Sequence, residues 1–273
     1  MERTKVLTVI SLGVGVQSST MALMSAKGVL PKVDCAIFAD TGYEPKKVYE
    51  YLEWIKTQLP FPVYTVMKGN IKDDMIGSID NGTRFPTAPF FTRNAETGKK
   101  GMLMRQCTND YKIVPVARKI RELVGLTRGM HFPKDKFVEQ WFGISLDEIV
   151  RMKISNKKYL TNHYPLIDLK MTRDGCLKWM KDNGYLLPEK SACICCPYHS
   201  DSFWQEMKDT KPNEFKQAVE YDAFIRQGNT KIKDELYLHR SCLPLDKIEF
   251  KKITKDNNLD FGFNNECEGM CGV

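Results

Sequence analysis

The sequence predicts an α/β protein, a parallel twisted sheet with helices on both faces, followed by a smaller cysteine-containing C-terminal subdomain. Three observations carry that expectation. Apolar β-branched runs alternate with helical stretches in the first half of the chain, glycines and prolines punctuate them, and the last third gathers cysteines, aromatics and two further helical patterns.

Residues 5–12 (KVLTVISL) are apolar on both faces, as a strand buried in a parallel sheet must be. A turn over 13–20 follows, and a helix starting near Ser18 takes its apolar face from MALMSAKGV before Pro31 closes it. Residues 34–39 (DCAIFA) form the second strand, 45–58 the second helix and 63–67 the third strand, so the connections are crossovers of the βαβ kind. Residues 69–104 lack periodicity and suggest either a long ordered insertion or lid or a partly disordered stretch. Further on, a helix is predicted over 111–124, a late strand over 140–144 (QWFGI), and helices over 172–183, 200–209 and 212–227. The division that follows is an α/β domain over 1–188 and a cysteine-rich helical region with a tail over 189–273.

Composition narrows the function classes. With 273 residues, 42% hydrophobic and 27% charged, the chain can bury a substantial core, which argues against disorder. A net charge of +7, with basic pairs at Lys99 and Lys100, Lys157 and Lys158, and Lys251 and Lys252, admits a polyanionic partner or simply a solvated lysine face. The apolar stretch near the N-terminus is too short to span a bilayer or to act as a secretory signal, so no membrane partner and a cytoplasmic location are expected. In that reducing compartment nine cysteines are poorly explained by disulfides, and a subset is expected to do metal or redox chemistry.

The segment SLGVGVQSST at 11–20 follows the first strand directly. Open α/β sheets bind ligands at that end, where a helix N-terminus meets an anion. Glycines permit close approach of the backbone, and the hydroxyls at the helix start can donate to phosphate. No lysine follows in the Walker pattern, and Ser18 stands where a dinucleotide fingerprint needs its third glycine, so both of those sites are disfavoured. A plain strand-to-helix turn capped by Ser18 is the alternative.

This loop, followed by ADTGYEP at 39–45, resembles the PP-loop ATP pyrophosphatase superfamily, in particular its phosphoadenylyl sulfate reductase-like branch. In the family pattern Ser-Gly-Gly-x-Asp-Ser, Ser18 aligns with the last serine, Gly15 with the second glycine and Gln17 with the aspartate, while Gly13 and Val14 depart. Arg105-Gln106-Cys107-Thr108 with Lys112 and Pro115 is similar to an element shared with DNA phosphorothioation enzymes and reductases. Gly143-Ile144-Ser145 with Glu148 and Arg151 is similar to a phosphate-meeting element in which Ser145 replaces an arginine. The resemblance implies an adenine nucleotide alpha-hydrolase-like fold that binds ATP or an adenylyl nucleotide with Mg²⁺ through Ser11, Gly13, Gly15, Gln17, Ser18, Ser19, Asp40, Thr41, Gly42, Arg105, Lys112 and Glu148, with Arg151 assisting catalysis.

SACICCP at 191–197 holds a Cys-x-x-Cys pair, Cys193 and Cys196, with Cys195 between them. The resemblance nominates Cys107 as a further ligand and implies a [4Fe-4S] cluster, with Cys195, Cys267 or Cys271 completing the set. Zinc or unliganded thiols are the alternatives, because sulfur ligands suit both metals. Cys35 and Cys176 lie in apolar periodic segments and are expected to be small core residues, with Cys242 undecided. The tail NNECEGMCGV is similar to the reductases' C-terminal Glu-Cys-Gly-x-His, which makes Cys267, with Cys271, a candidate nucleophile. His199 is expected on the surface or as a hydrogen-bonded helix cap, and His131, His163 and His239 belong to no constellation.

Three functions remain open on the sequence. The first is adenylation of a substrate with release of pyrophosphate followed by sulfur transfer, with a nucleic acid (tRNA or DNA) as acceptor and a protein as sulfur donor. The second is a sulfonucleotide reductase releasing sulfite. The third is a nucleotide-binding sensor without catalysis.

Overall fold

The computed structural model describes residues 3–81, 88–226 and 232–250. Strand β1 (Thr4–Ser11) leads into helix α1 (Val16–Ala26), then β2 (Cys35–Asp40), α2 (Lys46–Gln58), β3 (Val63–Met67) and α3 (Ile71–Asn81). Two short strands follow, β4 (Phe91–Arg93) and β5 (Lys100–Met102), then a π-helical turn (Asn109–Ile113) continuing into α4 (Val114–Leu123). Strand β6 (Lys136–Phe142), a 3-10 turn (Leu146–Arg151), β7 (Leu160–His163), α5 (Pro165–Asp168) and α6 (Arg173–Asp182) complete the first part. The second part holds α7 (Asp201–Thr210), α8 (Pro212–Ile225) and β8 (Glu235–Tyr237).

The main sheet has five strands in the order β3-β2-β1-β6-β7, and every pairing in it is parallel. Alternation along β1 and β2 sends Ile10, Ala36 and Phe38 to one face, where α1, α2 and α6 cover them. Val9, Cys35, Ile37 and Ala39 go to the other face, against Val116 and Ile120 of α4. Both faces are therefore dry, which is why the strands carry apolar residues at consecutive positions rather than alternate ones. The predicted fold class stands.

Local boundaries differ for physical reasons. Helix α1 begins at Val16 rather than near Ser18, because Gly15 is its cap and the polar residues Gln17, Ser18, Ser19 and Thr20 are its first turn, buried against the sheet. The late strand is longer than 140–144 and ends at Phe142, since Gly143 already turns across α1. The stretch expected to be an aperiodic insertion forms α3, β4 and β5. Its strands are three residues long, too short for a period-two pattern to register in sequence.

That insertion shares a second core with the C-terminal region: Ile71, Met75, Phe90 and Tyr111 pack with Trp204, Ala218, Tyr221, Ile225 and Leu236. A three-stranded antiparallel sheet, β5-β4-β8, joins them by main-chain bonds. Asp222 of α8, 1% exposed, locks the arrangement. Its carboxylate accepts the backbone N–H groups of Leu238 at 2.9 Å and Leu245 at 3.1 Å and pairs with Arg226. Among the described residues, no helix is long and apolar enough to cross a membrane.

Replacing Asp222 by Ala strands two buried N–H donors and a guanidinium together. The expected loss is about 3–5 kcal/mol of unfolding free energy, measured by urea titration, with Asp222→Asn recovering part of it.

Candidate functional site

In this strand order the chain leaves β1 toward β2 and leaves β6 toward β7, so connections diverge between two neighbouring strands. A crevice at their carboxyl ends is the place where such sheets take ligands. Ser11 pairs with Phe142 at that edge, and the loops after both strands meet over the start of α1.

The meeting is close. A Cβ on Gly143 would lie 2.5 Å from Ser18 N and 2.6 Å from Ser18 Cα, so only glycine lets the β6 end cross the helix there. The loop between β1 and α1 is strained as well: Val14, 1% exposed and β-branched, sits at φ 53°. Left-handed backbone at such a residue costs on the order of 1–3 kcal/mol and gathers at ligand-binding loops. Val14 occupies the position that the resembled motif gives to its first glycine.

The predicted loop residues divide by role. Ser18 Oγ braces the loop, accepting the Gly13 N–H at 3.2 Å and lying 3.4 Å from the Gly15 carbonyl. Ser11 Oγ accepts from Gln140 Nε2 at 2.6 Å, tying β1 to β6, and Ser19 is fully buried. Helix α1 has no side-chain cap and no acidic residue in its first turn, and a Cβ on Gly15 would meet nothing within 4 Å. The backbone N–H groups of that turn, with the positive end of the helix dipole, are thus the donors available to an anion in the space before Gly15.

The two departures from the resembled motifs face one another. Gln17 Nε2 lies 3.5 Å from Ser145 Oγ and donates to Glu148 Oε2 at 3.3 Å, while Arg151 Nη1 holds Glu148 Oε1 at 2.6 Å. Where the resembled motifs have aspartate and arginine, this chain has glutamine and serine, a neutral pair. The Gln17, Glu148 and Arg151 cluster comes from two separate sequence motifs.

Beside β1, the end of β2 carries the second half of the site. Asp40 Oδ1 accepts from Gly42 N at 2.7 Å and Tyr49 Oη at 2.9 Å, and Gly42, at φ 74°, has Asn70 Cα 2.8 Å from where its Cβ would be. This tight turn sends Thr41, Tyr43 and Glu44 toward the C-terminal region. There a small cavity of ≈ 40 Å³ is lined by Cys107, Cys193, Cys195 and Cys196 together with Thr41, Lys72, Arg105 and Lys112. All four cysteines expected to act together therefore reach one place, and Arg105 stacks over Tyr198 at 5.5 Å.

Their thiols face different partners. Cys193 Sγ is 3.1 Å from Thr41 Oγ1 and 3.7 Å from Glu44 Oε1, and Cys195 Sγ is 3.7 Å from Tyr43 Oη. Burial pushes the Cys193 and Cys195 thiols and the Glu44 carboxyl up, so each favours its neutral form, with Lys112 opposing the effect at Cys193 and Glu44. Glu44 is 4% exposed and its Oε2 has no hydrogen-bond partner. Among the described residues, no three Cys, His, Asp or Glu side chains converge on a metal position. In this arrangement the cysteines do not fit a metal or cluster; Cys193 and Cys195 would first have to leave Thr41, Glu44 and Tyr43.

His199 is buried rather than on the surface. Its Nε2 lies 3.0 Å from the Cys193 carbonyl oxygen and its ring stacks on Phe203 at 3.9 Å, and burial pushes its pKa down to about 3. A neutral imidazole there props the cysteine turn. His239 has a constellation that sequence reasoning missed: Nε2 lies 3.1 Å from Asp201 Oδ1 and Nδ1 lies 3.1 Å from the Ser241 backbone N. Glu44 was also missed, although a glutamate two residues beyond DTG was a visible signal. Cys267 and Cys271 lie outside the described residues.

Cys35, Cys176 and Cys242 are 2%, 0% and 1% exposed, core residues all three. Burial raises the first two to about 12, so iodoacetamide at mildly alkaline pH should leave Cys35 and Cys176 unlabelled until denaturant is added, as read by peptide mass mapping. Gly143→Ala should push the β6 end off α1 and lower the unfolding free energy by about 1–3 kcal/mol, measured by urea titration.

No protein-family model matches the chain, and no curated protein matches it. Among solved structures it is similar to the crystal structure of phosphoadenylyl-sulfate (PAPS) reductase from Candida auris in its phosphate complex. The two are 12% identical, with a TM-score of 0.42, over 68% of this chain and 75% of that one.

Proposed function

We propose that the chain is an adenine-nucleotide-binding enzyme that adenylates a substrate, releases pyrophosphate and completes a sulfur transfer beside the nucleotide. The observation that carries this reading is the uncapped N-terminus of α1 at the divergence of β1 and β6, one strand away from a cavity that gathers four cysteines. The helix end and the loop amides hold the phosphates, and Arg151 lies within the same cluster to meet charge developing on them. A substrate oxygen attacks the α-phosphorus and pyrophosphate departs. Sulfide-level sulfur, brought by a donor protein, then attacks the activated atom; the new bond is to sulfur, and AMP leaves with the electrons of the broken bond to oxygen.

Glu148 is already engaged at both oxygens and Asp40 at Oδ1, so Mg²⁺ would be held chiefly by the nucleotide's own phosphates and water. Among the described residues the cysteines, engaged with Thr41, Glu44 and Tyr43, do not fit an iron-sulfur cluster or zinc in this arrangement.

Incubation with ATP, Mg²⁺ and tRNA or DNA substrates should yield pyrophosphate and AMP, and Arg151→Ala should lower the rate at least about tenfold. Absence of both products with every acceptor, alongside tight ATP retention, would leave a nucleotide-binding sensor instead. Lys72, Arg105 and Lys112 around the thiols favour a second reading, a sulfonucleotide reductase, because they offer cations to a sulfonate. Sulfite release that Cys267→Ser abolishes would establish that alternative. Anaerobic purification reports on the cluster: a brown protein absorbing at about 400 nm with bound iron supports it, whereas a colourless, iron-free protein removes it.

A further inference from the structure

The segment that carries Glu148 and Arg151 does not end at the nucleotide. It continues into a loop, residues 152–159, that doubles back to the edge strand β7 and leaves a groove of ≈ 530 Å³ along that edge. Its walls carry Arg3, Lys153, Lys157 and Lys158, and no acidic side chain lines it. Among the described residues, none of these four cations makes an ion pair, unlike Lys5, Lys47 or Lys119 elsewhere on the surface.

The groove is built rather than floppy. Tyr164 Oη accepts the Lys153 N–H at 2.9 Å and lies 2.7 Å from the Lys153 carbonyl, which also takes a bond from Asn162 Nδ2 at 2.8 Å. Arg3 is held by the Lys158 carbonyl at 2.7 Å and by the Phe137 ring at 5.3 Å. The four charges are spread from the amino end of β7, at Arg3, Lys157 and Lys158, to its carboxyl end at Lys153. A four-residue strand spans about 13 Å, the length of a few phosphates along one strand of nucleic acid. The far end of the track lies two residues from Arg151.

We propose that this groove holds the phosphodiester backbone of a single nucleic-acid strand and feeds the acceptor to the nucleotide loop. The assignment rests on the adenylation reading, and charge complementarity commits it to a polyanion of regular spacing rather than to a lipid surface or an acidic protein.

The test is anisotropy of a short fluorescein-labelled single-stranded RNA with the full-length chain across a salt series. Four phosphate contacts predict a slope of about −2.8 in log affinity against log salt, or roughly fifty-fold weaker binding between about 50 and 200 mM. The Lys153→Gln/Lys157→Gln/Lys158→Gln variant should retain only about threefold over that range. ATP binding by calorimetry on the same samples should be unchanged. An unaltered salt slope in the variant overturns the proposal, as does polyglutamate or an anionic vesicle binding as tightly as RNA and with the same loss. RNA binding with the predicted slope but no ATP binding would leave the groove assigned and remove the adenylation reading, so the two can fail separately.

Discussion

Gly143 crosses the first turn of α1 at a distance no side chain would tolerate, and most of the site depends on that approach. It brings the end of β6 over the loop that follows β1, so Ser145 and Glu148 reach Gln17 and the strained turn at Val14 is clamped from above. Parallel pairing of β1 with β6 supplies the frame, and the buried Gln140 to Ser11 bond fixes its register at the ligand edge. A strained loop persists only where its surroundings over-determine it. Here those surroundings are a dry sheet below and a glycine crossing above.

The same edge carries two clusters of polar and sulfur side chains because β2 lies beside β1. Its terminal turn, closed by Asp40 and the left-handed Gly42, carries Thr41 and Glu44 away from the nucleotide loop and into contact with Cys193. Burial there favours the neutral forms of the Cys193 and Cys195 thiols and of the Glu44 carboxyl. The second core beneath, locked by Asp222, holds the cysteine turn in place against α7 and α8.

The fold and the first half of the site were legible because the physics that sets them is local or nearly so. Two dry sheet faces demand continuous apolar strands, and 63–67 emerged with the predicted bounds. Cys35 and Cys176 announced themselves as core by the periodicity around them. The start of α1 was misplaced because Gln17, Ser18, Ser19 and Thr20 look like loop chemistry, yet their burial comes from Gly143 and β6, more than a hundred residues away in the chain. The expectation of His199 on the surface or as a helix cap has a similar reason: its neighbours in sequence are polar, whereas its neighbours in space are Phe203 and Trp204.

The sequence by itself determined the alternating α/β order, the glycine- and serine-rich loop after the first strand, and which cysteines to watch, since each depends on residue type and short-range spacing. Only the tertiary structure decided that Gln17 answers Ser145, that four cysteines share one cavity with Thr41, that His239 meets Asp201, and that Arg3 joins three distant lysines along β7. Those are contacts between segments whose separation along the chain carries no periodic signal. The first of them exists because one close glycine crossing brings the end of β6 over the start of α1.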